Sequence, residues 1–145
     1  MLLIQYPQTK PSIQKEAGKE TIFCIIRKKW VVLTPEEWVR QNFILYLTEV
    51  LHLPSALMAV EKQIQVGEIV KRFDIVVFNQ ETIPLIVVEC KEMNEPLSAS
   101  VMEQAMRYNA TLQAKYLILT NGSHTIAFEK KDHQYIELDT LEEIQ

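Results

Sequence analysis

Two apolar runs in this chain carry charged side chains at their ends, "FDIVVFN" (73–79) and "PLIVVECK" (84–91). Side chains alternate across a strand, so Glu89 and Lys91 share a face, about 7 Å apart. Joined as a hairpin with Phe78 opposite Leu85, the runs place Asp74 opposite Glu89, on one face with Lys91 beside them. Opposed carboxylates destabilise a sheet. At an effective dielectric near 20 they repel by roughly 3 kcal/mol. A divalent cation removes the conflict, because carboxylates, carbonyls and waters are the ligands Mg²⁺ prefers. The bland alternative is two strand-end carboxylates splayed into water. The E-x-K spacing does not choose between them, since "EKK" (129–131) repeats it with no chemistry nearby.

A third carboxylate comes from "TPEEWVRQNFILYLTEVL" (34–51), which reads as a helix. Thr34 is its N-cap, Pro35 fills the first helical position and Glu37 completes a capping box. Val39, Phe43, Tyr46, Leu47 and Val50 form its apolar stripe. One step back along that stripe is Glu36, the expected contributor to the carboxylate cluster. Glu37, a quarter-turn away, is the alternative.

These residues need a scaffold. At 145 residues the chain is long enough for one domain with a real core. Residues 1–21, with Pro7, Pro11 and "KEAGKE", read as an arm, and 22–145 as the domain. "TIFCIIRKKWVVL" predicts two short strands about a basic turn. "LMAVEKQIQV" predicts a half-buried strand, followed by the two central strands above. "SVMEQAMRYNATLQA" is an amphipathic helix with Ser100 and Glu103 at capping-box spacing. "KYLILTNG" is a buried strand, and "HTIAFEKKDHQYIEL" gives two edge strands. The core order is α-β-β-β-α-β, an α/β sandwich with a mixed sheet.

Composition excludes several functions. A net charge of −4 argues against gripping nucleic acid by bulk electrostatics. It leaves room for local basic groups at Arg27 to Lys29 and at Lys71 and Arg72. The three glycines form neither a dinucleotide nor a Walker A loop. The histidines and cysteines make no zinc pattern. Cys24 and Cys90 sit in apolar runs as packed thiols, which fits a reducing cytoplasm. No apolar run is long enough for a membrane span.

"FDIVVFNQETIPLIVVECK" resembles the D…(D/E)-x-K signature of the PD-(D/E)xK nucleases. With "LTPEEWVRQ" and "EQAMRYNATLQAKYLILTNG", residues 22 to 125 are similar to the N-terminal nuclease domain of type I restriction enzyme R (HsdR-like) subunits. The resemblance implies a restriction-endonuclease-like core and a Mg²⁺- or Mn²⁺-dependent DNA endonuclease. By it, Asp74, Glu89 and the Cys90 carbonyl are metal ligands and Lys91 is the catalytic lysine. Gln104 and Tyr108 match a Q-x-x-x-Y pattern that holds DNA. Glu36 would complete the coordination, and Lys71 and Arg72 would contact the DNA backbone. Phe73 departs from the proline of the family name. R subunits also carry a helicase motor, for which this chain has no room, so a separately encoded helicase or specificity subunit is the expected partner. The competing class is an interaction module that kept the fold without turnover.

Overall fold

A computed structural model describes residues 1–144. The chain first builds a small antiparallel sheet from β1 (Ile13–Glu16), β2 (Lys19–Cys24) and β3 (Lys29–Val32). Ala17 and Gly18 both take positive φ, 51° and 78°, the twist that lets a two-residue turn close a hairpin. The expected arm boundary at residue 21 therefore falls inside β2. Every residue of β1 is exposed, so this hairpin rests on backbone pairing and leaves no apolar period to read. Leu2 also departs from an arm, being buried and bridged to Thr125.

Helix α1 (Pro35–Leu45) starts as its sequence requires, with Thr34 Oγ1 accepting from Glu37 N at 3.0 Å. The Glu37 carboxylate does not return to the cap; it is turned inward to other partners. The helix widens over Tyr46–Val50 into a turn with an i→i+5 bond, Leu51 N to Tyr46 O at 3.1 Å.

The main sheet has six strands, in the order β4 (Met58–Val66), β5 (Ile69–Phe78), β6 (Pro84–Cys90), β7 (Tyr116–Thr120), β8 (Thr125–Lys131) and β9 (Gln134–Glu137). Among the described residues β6–β7 is its one parallel pair. The crossover between them is helix α2 (Ala99–Leu112). The mixed α/β core thus has the expected order. Two details differ from the sequence reading. Strand β8 is paired on both sides, so only β9 lies at that edge. The cap of α2 is Ser98, whose Oγ accepts from Val101 N at 3.3 Å, instead of a box made by Ser100 and Glu103.

The helices cover opposite faces. Val39 and Phe43 of α1, with Leu47 of the widened turn that follows it, pack on Ile75, Val77, Ile86 and Val88. Ala105 of α2, with Val101 and Met102, packs on Val76, Val87, Leu117 and Leu119. The pairs Ile75↔Val88, Val76↔Val87 and Val77↔Ile86 are as expected, but Phe78 pairs with Pro84 across a register shift instead of with Leu85. Asn79 causes it: its Oδ1 accepts from Glu81 N at 2.9 Å and Ile83 N at 3.0 Å and tightens the loop. The six central side chains are each at most 1% exposed. Together they stabilise the pair on the order of 10 kcal/mol. That exceeds the repulsion of two charges at its end.

Candidate functional site

Strand β5 breaks its alternation where the site begins. Phe73 and Val76 both face α2, with Asp74 and Ile75 between them, where strict alternation allows one residue. Opposite, Glu61 takes a φ of 56° and drops out of the ladder between Val60↔Ile75 and Lys62↔Phe73. This kink aims Asp74 at α1. Its Oδ1 accepts from Arg40 Nη2 at 2.6 Å and its Oδ2 from Cys90 N at 2.8 Å.

Glu89 goes the other way. Its Oε2 accepts from Lys71 Nζ at 3.1 Å, in a narrow cleft shared with Lys91, Gln104 and Tyr108 of α2. The direct opposition of Asp74 and Glu89 across the hairpin is therefore not formed. The ladder ends at Ile75↔Val88, and Asp74 bonds the backbone one residue beyond Glu89. The carboxylates still feel each other. Burial, and then the charge of Asp74, push the Glu89 carboxyl up to about 7, against the pull of Lys71 and Lys91. Glu89 Oε1 is buried without a hydrogen-bond partner among the described residues.

The helix glutamates exchange the positions expected of them. Glu37 is buried, and Glu36 is half exposed at the mouth of the site. Glu36 nevertheless belongs to the cluster. Partial burial and then Asp74 raise its carboxyl, and its Oε1 lies 3.6 Å from Arg40 Nη2. Glu37 accepts from Arg40 at 2.6 Å, Arg27 at 2.9 Å and Gln41 at 2.9 Å. Burial alone would raise the Glu37 carboxyl, but these donors outweigh it and hold the group below its ordinary range. Stepping along the apolar stripe selected the wrong glutamate as inward, because the buried face of α1 is partly ionic.

Lys91 is half-buried, anchored by its N–H to Thr120 O at 2.8 Å, and makes no ion pair among the described residues. Gln104 and Tyr108 reach the same cleft, as their i, i+4 spacing requires. The ammonium of Lys71 also lies 5.1 Å from the Tyr108 ring centroid. Arg72 is exposed and lies outside this cleft. Its Nε and Nη2 lie 2.9 and 3.0 Å from the Gln63 amide oxygen in the orientation that satisfies both groups. Arg27 is not a solvated turn residue: besides Glu37 it donates to Cys24 Sγ at 3.3 Å and to Glu61 at 3.3 Å.

Arg40 is the participant that sequence reasoning missed. Its signal was present, a cation three and four residues after Glu37 and Glu36. Among the described residues no three His, Cys, Asp or Glu side chains stand gathered around one cation position. The donors nevertheless suit a hard divalent ion. They are carboxylates, one with an orphaned buried oxygen, and the two that the hairpin supplies are currently satisfied by Arg40 and Lys71.

Residues 35–144 match the family described as Type I restriction enzyme R protein N terminus (HSDR_N). No curated protein matches the chain in sequence. Among solved structures it is similar to a fragment provisionally assigned as the HsdR subunit of a type I restriction enzyme from Vibrio vulnificus YJ016. That likeness has 24% identity and a TM-score of 0.43, over 60% of this chain and 19% of that one. The type IIG restriction endonuclease BpuSI is similar at 24% identity and a TM-score of 0.44, over 69% of this chain and 11% of that one. The chain thus spans about a fifth and a tenth of these two. A DUF820 protein from Anabaena variabilis ATCC 29413, provisionally assigned as a nuclease, shares the fold. Its TM-score is 0.51 at 12% identity, over 92% of this chain and 80% of that one.

Proposed function

The chain belongs to the family of type I restriction enzyme R protein N termini, and on that premise we propose that it is a metal-dependent DNA endonuclease domain of a restriction system. Asp74, Glu89 and the Cys90 carbonyl would hold Mg²⁺ or Mn²⁺, with Glu36 at the open side. When bound, the cation supplies Lewis acidity at the phosphate and lowers the pKa of its water. The observation that carries this reading is Glu89, a carboxylate buried deeply enough to sit near 7, with one oxygen unpartnered and Lys91 in the same cleft.

The chain's own residues then divide the remaining work. Arg40 and the Cys90 N–H fix both oxygens of Asp74 and set its orientation. Lys91, without an ion pair among the described residues, offsets negative charge developing on the phosphate. Gln104 holds a phosphate or sugar oxygen with its amide. Arg72, with Lys71 where it is free of Glu89, contacts the backbone and confers little sequence preference. DNA and a helicase or specificity subunit are the partners this reading expects.

The test is a Mn²⁺ titration by calorimetry, followed by cleavage assays on supercoiled, linear and single-stranded DNA. Wild type binds the ion and cuts, and Asp74→Ala, Glu89→Ala and Lys91→Ala do not cut. One observation favours a non-catalytic interaction module instead: Arg40 and Lys71 already neutralise both carboxylates without a metal. Folded protein that binds no divalent ion and cuts no DNA would establish that second reading.

A further inference from the structure

On the α1 side of the site lies a cavity of about 200 Å³ that the proposed chemistry does not use. Tyr6, Trp38, Val39 and Met93 line it, together with Gly122. A Cβ on Gly122 would stand 3.3 Å from Val39 Cγ2, so the glycine lets the β7–β8 turn approach the helix this closely. Two polar residues complete the lining, Lys10 and Asn42. The Asn42 amide donates to Trp38 O at 2.9 Å, and no protein donor among the described residues reaches its Oδ1.

Size and position limit the occupant. Pockets for drug-sized ligands run to roughly 300–1,000 Å³, so this one suits a single ring system and not a whole cofactor. Two aromatic side chains in its wall favour a flat, π-faced guest. Trp38 lies two residues along α1 from Glu36, and Met93 lies two residues beyond Lys91 in the turn after β6, at most about 7 Å away along the chain. The cavity and the Lys91 cleft lie on opposite faces of the same end of the sheet, so a ring would reach the cavity around that end from a phosphate held at Lys91. The lysine and the free amide oxygen match the phosphate charge and the N–H edge of such a guest.

We propose that this cavity receives one unpaired nucleobase of the strand being cut, which makes single-stranded or locally melted DNA the preferred substrate class. The proposal rests on the nuclease reading and adds a subsite to it. A base in a duplex is stacked and paired and must be extruded before entering, whereas an unpaired base enters without that cost. Stacking on Trp38 then contributes affinity without sequence preference.

The test uses the full chain with Ca²⁺ as a non-cutting ion and Trp30→Phe to isolate Trp38 emission. The ligands are a short oligo-dT, the same oligomer with abasic nucleotides, and a duplex of equal length. Oligo-dT should quench Trp38 and bind at least about tenfold more tightly than the abasic oligomer, the span of one stacked base. Trp38→Ala should weaken oligo-dT binding about tenfold and leave duplex binding unchanged. Equal binding and quenching by the normal and abasic oligomers would overturn the subsite while leaving the nuclease reading intact. This comparison needs no variant at the cavity, so it stands even where Trp38→Ala fails to fold. Failure of every DNA to bind would remove both.

Discussion

Arg40 Nη2 donates to Asp74 Oδ1 at 2.6 Å, and Arg40 Nη1 donates to Glu37 Oε1 at the same distance. One buried guanidinium therefore joins the first helix to the strand that carries the candidate metal ligand. Removing it leaves buried Asp74 with the Cys90 N–H alone and Glu37 with one guanidinium of two. Arg40→Met should cost about 3–5 kcal/mol, the usual effect of deleting one partner of a buried pair. Urea unfolding measures it, and a loss below about 1 kcal/mol would mean that water readily replaces the guanidinium.

Asp74→Asn separates two pictures of the site. With Asp74 facing Glu89 unrelieved, as the sequence suggests, the amide would stabilise the metal-free protein. In the structure Asp74 is bound by Arg40, so the substitution instead weakens a charge-assisted bond. The metal-free variant should lose about 1–3 kcal/mol and melt below wild type. Higher melting of the variant would restore the repulsive picture.

That reversal marks how far the sequence could be read. Continuous apolar runs revealed the central hairpin, and apolar stripes both helices and so the order of the core elements along the chain, because burial constrains residue choice. Asp74, Glu89, Lys91, Gln104 and Tyr108 all lie at the same end of the sheet for that reason. The pleat defect at Asp74 was hidden, since it depends on the left-handed Glu61 across the ladder. No residue type announces that conformation in glutamate. Arg40 was missed despite its helical spacing from Glu36 and Glu37, because a cation beside an apolar stripe reads as surface unless its strand partner is known. The β1–β2 hairpin was missed because none of β1 is buried.

Glu89 gives the site a pH dependence. Its folded-state value near 7 lies above that of the unfolded chain. Between the two values the folded form holds the extra proton, so this group's stabilising contribution is full at low pH and is lost as pH rises toward about 7. Glu89→Gln should flatten that slope and gain stability relative to wild type at about pH 8. Melts across this range check it; identical slopes in both proteins would show that Glu89 does not carry the proton. A divalent ion must displace the same proton. Mn²⁺ affinity should thus rise by up to about tenfold per pH unit below 7 and level off above it.

Gln104 borders the Glu89 cleft while remaining exposed. Gln104→Ala should weaken DNA binding several-fold while Mn²⁺ affinity stays within error, because an amide contacts substrate without ligating the ion. Its stability change should remain within about 0.5 kcal/mol, as for other exposed positions. Calorimetry with metal and then with DNA resolves the two effects. An equal fall in both would place Gln104 in the ion's own surroundings.

Arg27 lies outside the matched residues 35–144, yet it donates to Glu37 and Glu61 inside them. The stretch matched to the family and the unit of charge balance therefore do not coincide. A fragment trimmed to residues 35–144 would keep every side chain proposed to do chemistry. It would also lose one of the two guanidiniums that serve Glu37, along with the Tyr6 and Lys10 sides of the cavity. Inactivity in such a fragment would report a missing counter-ion before it reported anything about catalysis. The small leading sheet thus lies before the matched core but is not electrostatically separable from it.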